Sequence, residues 1–290
     1  MSDAKNKYNE LTPQERHVIE NKGTEAPYTG KYNDHFQKGI YTCRKCDLPL
    51  YNSSDKFEAR CGWPSFDDEI PAAIHRSLDA DGLRIEITCA YCGAHLGHVF
   101  DGEKLTSKNT RHCVNSISMN FIPIAETPKR DRAIFAAGCF WGVEHILKEV
   151  DGIVDTRVGY IGGNKKNPSY REVCYENTGH AEAVEVIYDP QKVSYEKIAK
   201  AFFELHDFTQ KDGQGPDIGD QYRSSIFFTN SEQKKVAEKL VKILEKENYD
   251  VATEITEAST FWPAEDYHQN YYEKNGQSPY CHSRRNIFDK

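Results

Sequence analysis

Between residues 41 and 121 apolar and polar side chains alternate in short runs, as in LRIEIT (83–88) and VNSISMNF (114–121), with Pro, Gly, Asp and Asn between them. A period of two over such lengths marks half-buried strands, so this stretch predicts antiparallel β structure. After residue 121 the period lengthens and strands and helices alternate. RAIFAAG (132–138) reads as a strand. FWGVEHILKEVDG (140–152) reads as a helix with Val143, Ile146, Leu147 and Val150 on one stripe and Gly152 as its stop. AEAVEVIYD (181–189) reads as a strand ending in the Asp189-Pro190 turn, and SSIFFT (224–229) as another strand. Helices are expected at 194–205, capped by Ser194 with Ile198, Ala201, Phe202 and Leu205 inward, and at 231–247, striped by Val236, Leu240, Ile243 and Leu244. A last strand covers VATEIT (251–256).

The first 40 residues are polar, with one helix start. Thr12 is the cap, Pro13 the first helical residue, Glu15 completes a capping box, and Gly23 closes the segment. Residues 122–131, IPIAETPKRD, carry two prolines and several charges and read as a linker. The final 30 residues, rich in Tyr, Asn and Gly, read as irregular chain wrapped on the second domain. The expected architecture is therefore a mainly antiparallel β domain (1–121), a linker (122–131) and an α/β domain (132–290) with helices layered on a mixed sheet. A length of 290 residues agrees with two domains.

Composition narrows the function. Residues 1–130 hold 17 basic and 18 acidic side chains and the other 160 hold 20 and 27, so neither part has the basic footprint of a nucleic-acid binder. No apolar run approaches the ~18 residues of a membrane span. The start, MSDAKNKYNE, lacks the zones of a secretory signal, so a soluble, cytoplasmic protein is expected. Nine cysteines, an odd count in such a chain, point to metal binding or catalysis rather than a secreted disulfide framework.

Four of the nine form two C-x-x-C knuckles, Cys43/Cys46 and Cys89/Cys92, with Gly93 after the second. Four thiolates suit a closed tetrahedral zinc site, and the long separation means that the metal ties two distant hairpins together. Iron fits the same ligands. A redox C-x-x-C explains one knuckle but leaves the other idle.

Two cysteines then remain in the first domain: Cys61, in ARCGWPSF, and Cys113, in TRHCVNSISMNF. An ordinary thiol is only a few per cent thiolate near pH 7, and a cation near Cys113, such as Arg111 or His112, would raise that fraction. HLGHVFDG adds His95 and His98, each of which, alone, is as readily a structural histidine. In the second domain Cys139 sits where a strand meets a helix, so free N–H groups and the positive end of the helix dipole favour its thiolate. Glu182, Asp217, Tyr170 and Tyr222 supply acids and phenols suited to protonating a leaving oxygen, Glu182 with a carboxyl that burial would raise. Taken singly, Glu182 is more commonly a strand-edge charge and Tyr222 a packing aromatic; the rival reading of Cys139, a buried core thiol among core aromatics, is the less favoured one.

Residues 11–121 resemble methionine sulfoxide reductase B through LTPQERHVIENKGTEAPYTGKY, both knuckles, CGWPSF, HLGHVFDG and RHCVNS. Residues 132–282 resemble methionine sulfoxide reductase A, most specifically through GCFWGVE. The resemblance implies a β-tent fold with one structural zinc per chain followed by a two-layer sandwich with a ferredoxin-like core, and no organic cofactor. In the B-like part it implies Cys113 as nucleophile and Cys61 as resolving thiol. There Trp63 and Phe100 would receive the substrate methyl, His95 and His98 assist proton transfer, and Asp101, Arg111 and Asn115 support the centre. In the A-like part it implies Cys139 as nucleophile, Glu182 as proton donor, and Tyr170 and Tyr222 on the sulfoxide oxygen with Asp217 behind them. Phe140 and Trp141 would form the methyl wall and Cys281 the resolving thiol; Cys174 has no role. The family more often has Tyr where this chain has His112, and the spacing around Asp101 is shifted.

Each epimer of methionine sulfoxide needs its own enzyme class, so the A-like domain is expected to take S and the B-like domain R. The partners implied are oxidised proteins or free methionine sulfoxide, with thioredoxin or a similar dithiol as reductant. Two rivals stand beside this reading. One is a zinc-organised binding module fused to a thiol enzyme, which would have no use for Cys61 and Cys113. The other is a thiol peroxidase, which would want an arginine beside Cys139 in place of the Phe140-Trp141 pair.

Overall fold

The computed structural model describes residues 7–277, 279 and 282–288. The chain folds as two compact units, Met1–Arg130 and Asp131–Lys290.

In the first unit α1 (Pro13–Ile19) begins as its sequence dictates: the Thr12 side chain accepts from Glu15 N–H while the Glu15 carboxylate accepts from Thr12 N–H. It ends at Ile19, four residues before Gly23. Nine strands follow: β1 (Gly39–Cys43), β2 (Pro49–Asn52), β3 (Lys56–Phe57), β4 (Ser65–Phe66), β5 (Ile74–Leu78), β6 (Ile85–Cys89), β7 (His95–Asp101), β8 (Thr110–Val114) and β9 (Met119–Pro123). They make two antiparallel sheets, ordered β2-β1-β9 and β3-β4-β8-β7-β6-β5. Tyr41, Tyr51, Phe66, Leu48, Leu50 and Leu96 are fully buried, with Tyr51 stacked on Phe66 at 4.3 Å.

The alternating run 114–121 is not one strand. It breaks into the end of β8, a 3-10 turn at Ser116–Ser118, and β9 in the other sheet. The serines account for the break, because their hydroxyls are committed elsewhere. Ser116 Oγ accepts from Tyr32 N–H, and Ser118 Oγ donates to the His95 carbonyl. Ile122 and Pro123 finish β9 by pairing with β1, and Asp131 begins the next strand.

The second unit contains β10 (Asp131–Ala137), α2 (Phe140–Lys148), β11 (Ile153–Ile161), α3 (Tyr170–Tyr175), β12 (Ala181–Tyr188), α4 (Tyr195–Leu205), β13 (Gly213–Gln214), β14 (Asp217–Ile218), β15 (Ser224–Phe228), α5 (Ser231–Lys246), β16 (Glu254–Glu257), β17 (Trp262–Pro263) and α6 (Tyr271–Asn275). The main sheet runs β16-β15-β10-β12-β11-β17, antiparallel except for β15–β16. Its centre, β10-α2-β11-β12-α4-β15 in spatial order β15-β10-β12-β11, is the split βαβ arrangement of a ferredoxin-like core. One sheet face packs Phe135, Val184 and Val186 against Val143 and Leu147 of α2 and Ile198 and Phe202 of α4.

Every residue of β12 is buried, so the strand is covered on both faces, and Glu185 within it is held by Arg132 and Arg157. On α5 the inward stripe is Gln233, Ala237, Leu240 and Leu244, and Ile243 is on the solvent side, 38% exposed. Of the expected stripe Leu240 and Leu244 are buried, Val236 packs on the core and only Ile243 faces out, while Gln233 is buried through bonds to Thr229 and the Arg132 carbonyl. The tail expected to be irregular contains β17 and α6.

Candidate active sites and metal centre

The two knuckles are the turns of two hairpins in different sheets, β1–β2 and β6–β7, so the cluster pins the sheets of the first unit together. Its four sulfurs lie within 4.8 Å of one another, with Cys43–Cys92 at 3.6 Å and Cys46–Cys89 at 3.7 Å. A tetrahedron of thiolates ~2.3 Å from a central ion has sulfur–sulfur edges of about 3.8 Å. The donor set and its spacing therefore fit a four-coordinate metal ion.

The thiol site of the first unit is built by strand register. Cys113 on β8 pairs with Ser65 on β4 and with His98 on β7. Alternation then puts Arg111 and Cys113 on one face and His112 on the other, where His112 is fully buried against Tyr51, Glu69 and Arg76. Of the two cations next to Cys113 in sequence, only Arg111 attends it. Its guanidinium lies 4.5 Å over the Phe100 ring, pairs with Glu103 and pulls Cys113 toward thiolate. Cys61 Sγ lies 3.9 Å from Cys113 Sγ, within reach of a thiol hydrogen bond. Contact with Cys113 draws Cys61 down to about 5, while contact with Cys61 and burial push Cys113 up.

A cavity of about 120 Å³ opens on Cys113, lined also by Thr24, Trp63, Arg84, Gly97, His98, Phe100 and Asn115. Gly97 is needed here: a Cβ would sit 2.0 Å from the Cys113 carbonyl oxygen. Trp63 is oriented by its Nε1–H donating to the Glu25 carbonyl, and Asn115 Oδ1 accepts from Glu25 N–H. His95 is set back from the cavity, its Nδ1 2.7 Å from Glu86 Oε1, and burial lowers its pKa. Asp101 is exposed and accepts from Thr110 Oγ1–H, so it does not support the centre. Thr24, Glu25 and Arg84 were missed, because their chain segments show no periodicity that would bring them to a cysteine 30 to 90 residues away.

In the second unit Cys139 is the N-cap residue of α2, following Gly138 in a left-handed conformation (φ +84°). The Phe140 N–H at that helix start donates to Glu182 Oε2 at 3.2 Å, so the carboxylate shares the positive helix end with the sulfur. Glu182 is 1% exposed at the start of β12. The Tyr170 and Tyr222 hydroxyls are in hydrogen-bonding contact, and burial first and Glu182 second push both phenols above their usual range. Asp217 adds to the effect at Tyr222. Phe140 is buried against Tyr160 and His268, and Trp141 stacks on Tyr271 at 3.7 Å. Cys174 Sγ touches the Tyr170 hydroxyl, and burial raises this thiol. Cys281 lies outside the described residues; its neighbour His282 is bound through Nε2 to the Ala137 carbonyl at 2.8 Å.

Glu265 and His268, in PAEDYHQ, were also missed. Glu265 accepts from Tyr160 Oη–H and Tyr170 N–H, both at 2.9 Å, and His268 Nδ1 accepts from Trp141 Nε1–H at 3.0 Å. The Ser169-x-x-Glu172 capping box would have announced α3 and hence the placement of Tyr170.

Paired or helix-capping thiols beside aromatic walls and proton-bearing groups define a thiol-dependent oxidoreductase. The family pattern described as peptide methionine sulfoxide reductase matches residues 131–290, and the SelR domain pattern matches residues 11–123. The chain belongs to the peptide methionine sulfoxide reductase family and carries a B-type (SelR) domain ahead of its A-type domain. Similar proteins include peptide methionine sulfoxide reductase MsrA of Geobacter metallireducens, 50% identical over 157 residues (52% of this chain, 95% of that protein). That of Nautilia profundicola is 48% identical over 150 residues (52% and 87%). Among solved structures, reduced Mxr1 from Saccharomyces cerevisiae is 36% identical, covers 54% of this chain and 93% of its own, and has a TM-score of 0.51. No helix among the described residues is long and apolar enough to cross a membrane.

Proposed function

We propose that the second unit reduces the S epimer of methionine sulfoxide at Cys139 and the first unit the R epimer at Cys113, each independently of the other. The observation that carries the reading is the Cys61–Cys113 pair, 3.9 Å apart beside a cavity walled by Trp63 and Phe100. In each unit the thiolate attacks the sulfoxide sulfur while an acid protonates the oxygen. Methionine leaves, and the cysteine becomes a sulfenic acid. A second thiol, Cys61 or Cys281, displaces water from it to form a disulfide. An external dithiol such as thioredoxin then reduces that bond by exchange.

His98 delivers the proton in the first unit, with Asn115, Arg111 and the set-back His95 supporting the centre. Glu182 delivers it in the second, where Tyr170 and Tyr222 hold the oxygen and Asp217 orients Tyr222. Trp63 and Phe100, and Phe140 and Trp141, receive the methyl group. Cys43, Cys46, Cys89 and Cys92 hold one zinc ion, which supplies no chemistry to the reaction and joins the two sheets. The first domain then runs through Pro123 and the second begins at Asp131, which shortens the linker expected at 122–131 to residues 124–130. The unpaired thiols call for a reducing compartment such as the cytoplasm, and the substrate is oxidised protein or free methionine sulfoxide.

The test is matched. Wild type, Cys113→Ser and Cys139→Ser are assayed on each separate epimer with thioredoxin. Cys113→Ser should lose R reduction and Cys139→Ser S reduction, each by at least about 10³-fold, the scale for removing a nucleophile. Loss of neither epimer, or of both together, refutes the assignment.

A further inference from the structure

His98 lines the first unit's cavity beside Cys113, yet one of its ring nitrogens is already committed. Its Nε2 lies 2.6 Å from Asp79 Oδ2, and the two side chains are 12% and 15% exposed. Asp79 is the first residue of the loop between β5 and β6. That loop is closed by Asp79 N–H donating to the Arg84 carbonyl at 2.8 Å. Arg84 Nη2–H donates to the same carboxylate oxygen at 3.3 Å, and Arg84 Nε–H to Asp81 at 2.6 Å. The His98 contact, foremost, holds the Asp79 carboxyl below its usual range, so Asp79 is an acceptor and His98 Nε2 carries a proton. Among the described residues His98 makes no other hydrogen bond.

We infer that Asp79 is a positioning residue for proton delivery in the first unit: by accepting the Nε2–H of His98 it leaves Nδ1 as the ring nitrogen available to the sulfoxide oxygen. The inference rests on His98 being the proton donor. With Nε2–H retained by Asp79, the proton given up must come from Nδ1. The ring therefore starts as imidazolium and ends neutral, with its remaining proton still on Nε2. The methionine S–O bond and the S–S bond made by the attack break, a Cys113 S–O bond forms, and methionine leaves with its sulfur lone pair restored while Cys113 becomes the sulfenic acid.

Other charges face the ring. Arg84 lines the same cavity but is balanced by Asp79 and Asp81. On its own strand the His95 ring is 5.7 Å away and is bound to Glu86, which also holds Lys22. Cys113 is the register partner on β8. Among the described residues Asp79 is the one carboxylate in direct contact with the ring.

An amide in place of the carboxylate can either donate to or accept from His98 Nε2, so the ring nitrogen facing the substrate is no longer fixed. In Asp79→Asn kcat for the R epimer should therefore fall about tenfold with KM little changed. His98→Asn should lose R reduction, and adding Asp79→Asn to it should cost nothing more. An unchanged kcat, a loss confined to KM, or additive losses in the double variant overturns the inference. If Asp79→Asn is inactive throughout, Asp79→Glu decides: recovery of the wild-type kcat supports the inference, and no recovery overturns it. If His98→Asn retains R reduction, the reading of His98 as donor fails and this inference with it.

Discussion

Cys113 and Cys139 are held in different ways. Cys113 lies within a strand whose neighbours on both sides set its position, Ser65 on β4 and His98 on β7. Cys139 lies where the chain leaves a strand and starts a helix, after a glycine in a left-handed conformation. Their charge support differs as well. A guanidinium on the same strand face serves Cys113, and a helix start shared with Glu182 serves Cys139. What recurs is a sulfur beside aromatic side chains and a proton-bearing group. The reaction constrains that local set and leaves the scaffold free.

The scaffolds should separate most sharply on metal removal. Only the first unit has the four-thiol cluster, and it joins two sheets that share a small core. Structural zinc in small domains contributes on the order of 10 kcal/mol, as much as the whole stability of many domains. Stripping the metal with a chelator should unfold the first unit and abolish R reduction while S reduction persists. Calorimetry should show one of two transitions lost. R reduction surviving in protein with no measurable metal would remove the structural role.

The next contrast lies within the first unit. Cys61→Ser removes the sulfur proposed to resolve the sulfenic acid but leaves Cys113, Trp63 and His98 in place. One equivalent of R sulfoxide should still be reduced per chain in a burst, whereas thioredoxin-driven turnover falls by at least about 100-fold. A missing burst would mean that Cys61 acts in the chemical step itself.

Periodicity put β10, α2, β12, α4 and β15 near where they lie, while their assembly into a ferredoxin-like core was implied by the family resemblance. The thiols and knuckles were legible from their spacing. The second-layer groups were not. Asp79, Glu86 and Glu25 act on residues 9 to 90 positions away, through register and loop closure that a linear pattern does not carry. β11 was missed because Asp155 and Arg157 interrupt its apolar run, although Arg157 folds onto buried Glu185. The 3-10 turn at Ser116–Ser118 escaped for a similar reason, since its cause is where two hydroxyls bond and not what surrounds them in sequence.

The smallest effect expected is confined to the second unit. Trp141 Nε1 can only donate, so His268 Nδ1, 3.0 Å away, must be without a proton and the ring neutral, with its hydrogen on Nε2. Burial favours the same state by lowering the His268 pKa, although Glu265 opposes it. Trp141→Phe keeps a ring for Tyr271 to stack on but leaves that buried nitrogen unpaired. The cost should be about 1 kcal/mol, near fivefold, seen as a higher KM for the S epimer. His268→Phe should cost about the same, and the double variant little more than either alone, because both substitutions remove one bond. R reduction by the same molecule is the internal control. Fully additive losses would show that Trp141 and His268 act separately, and that the indole is held by Tyr271 alone.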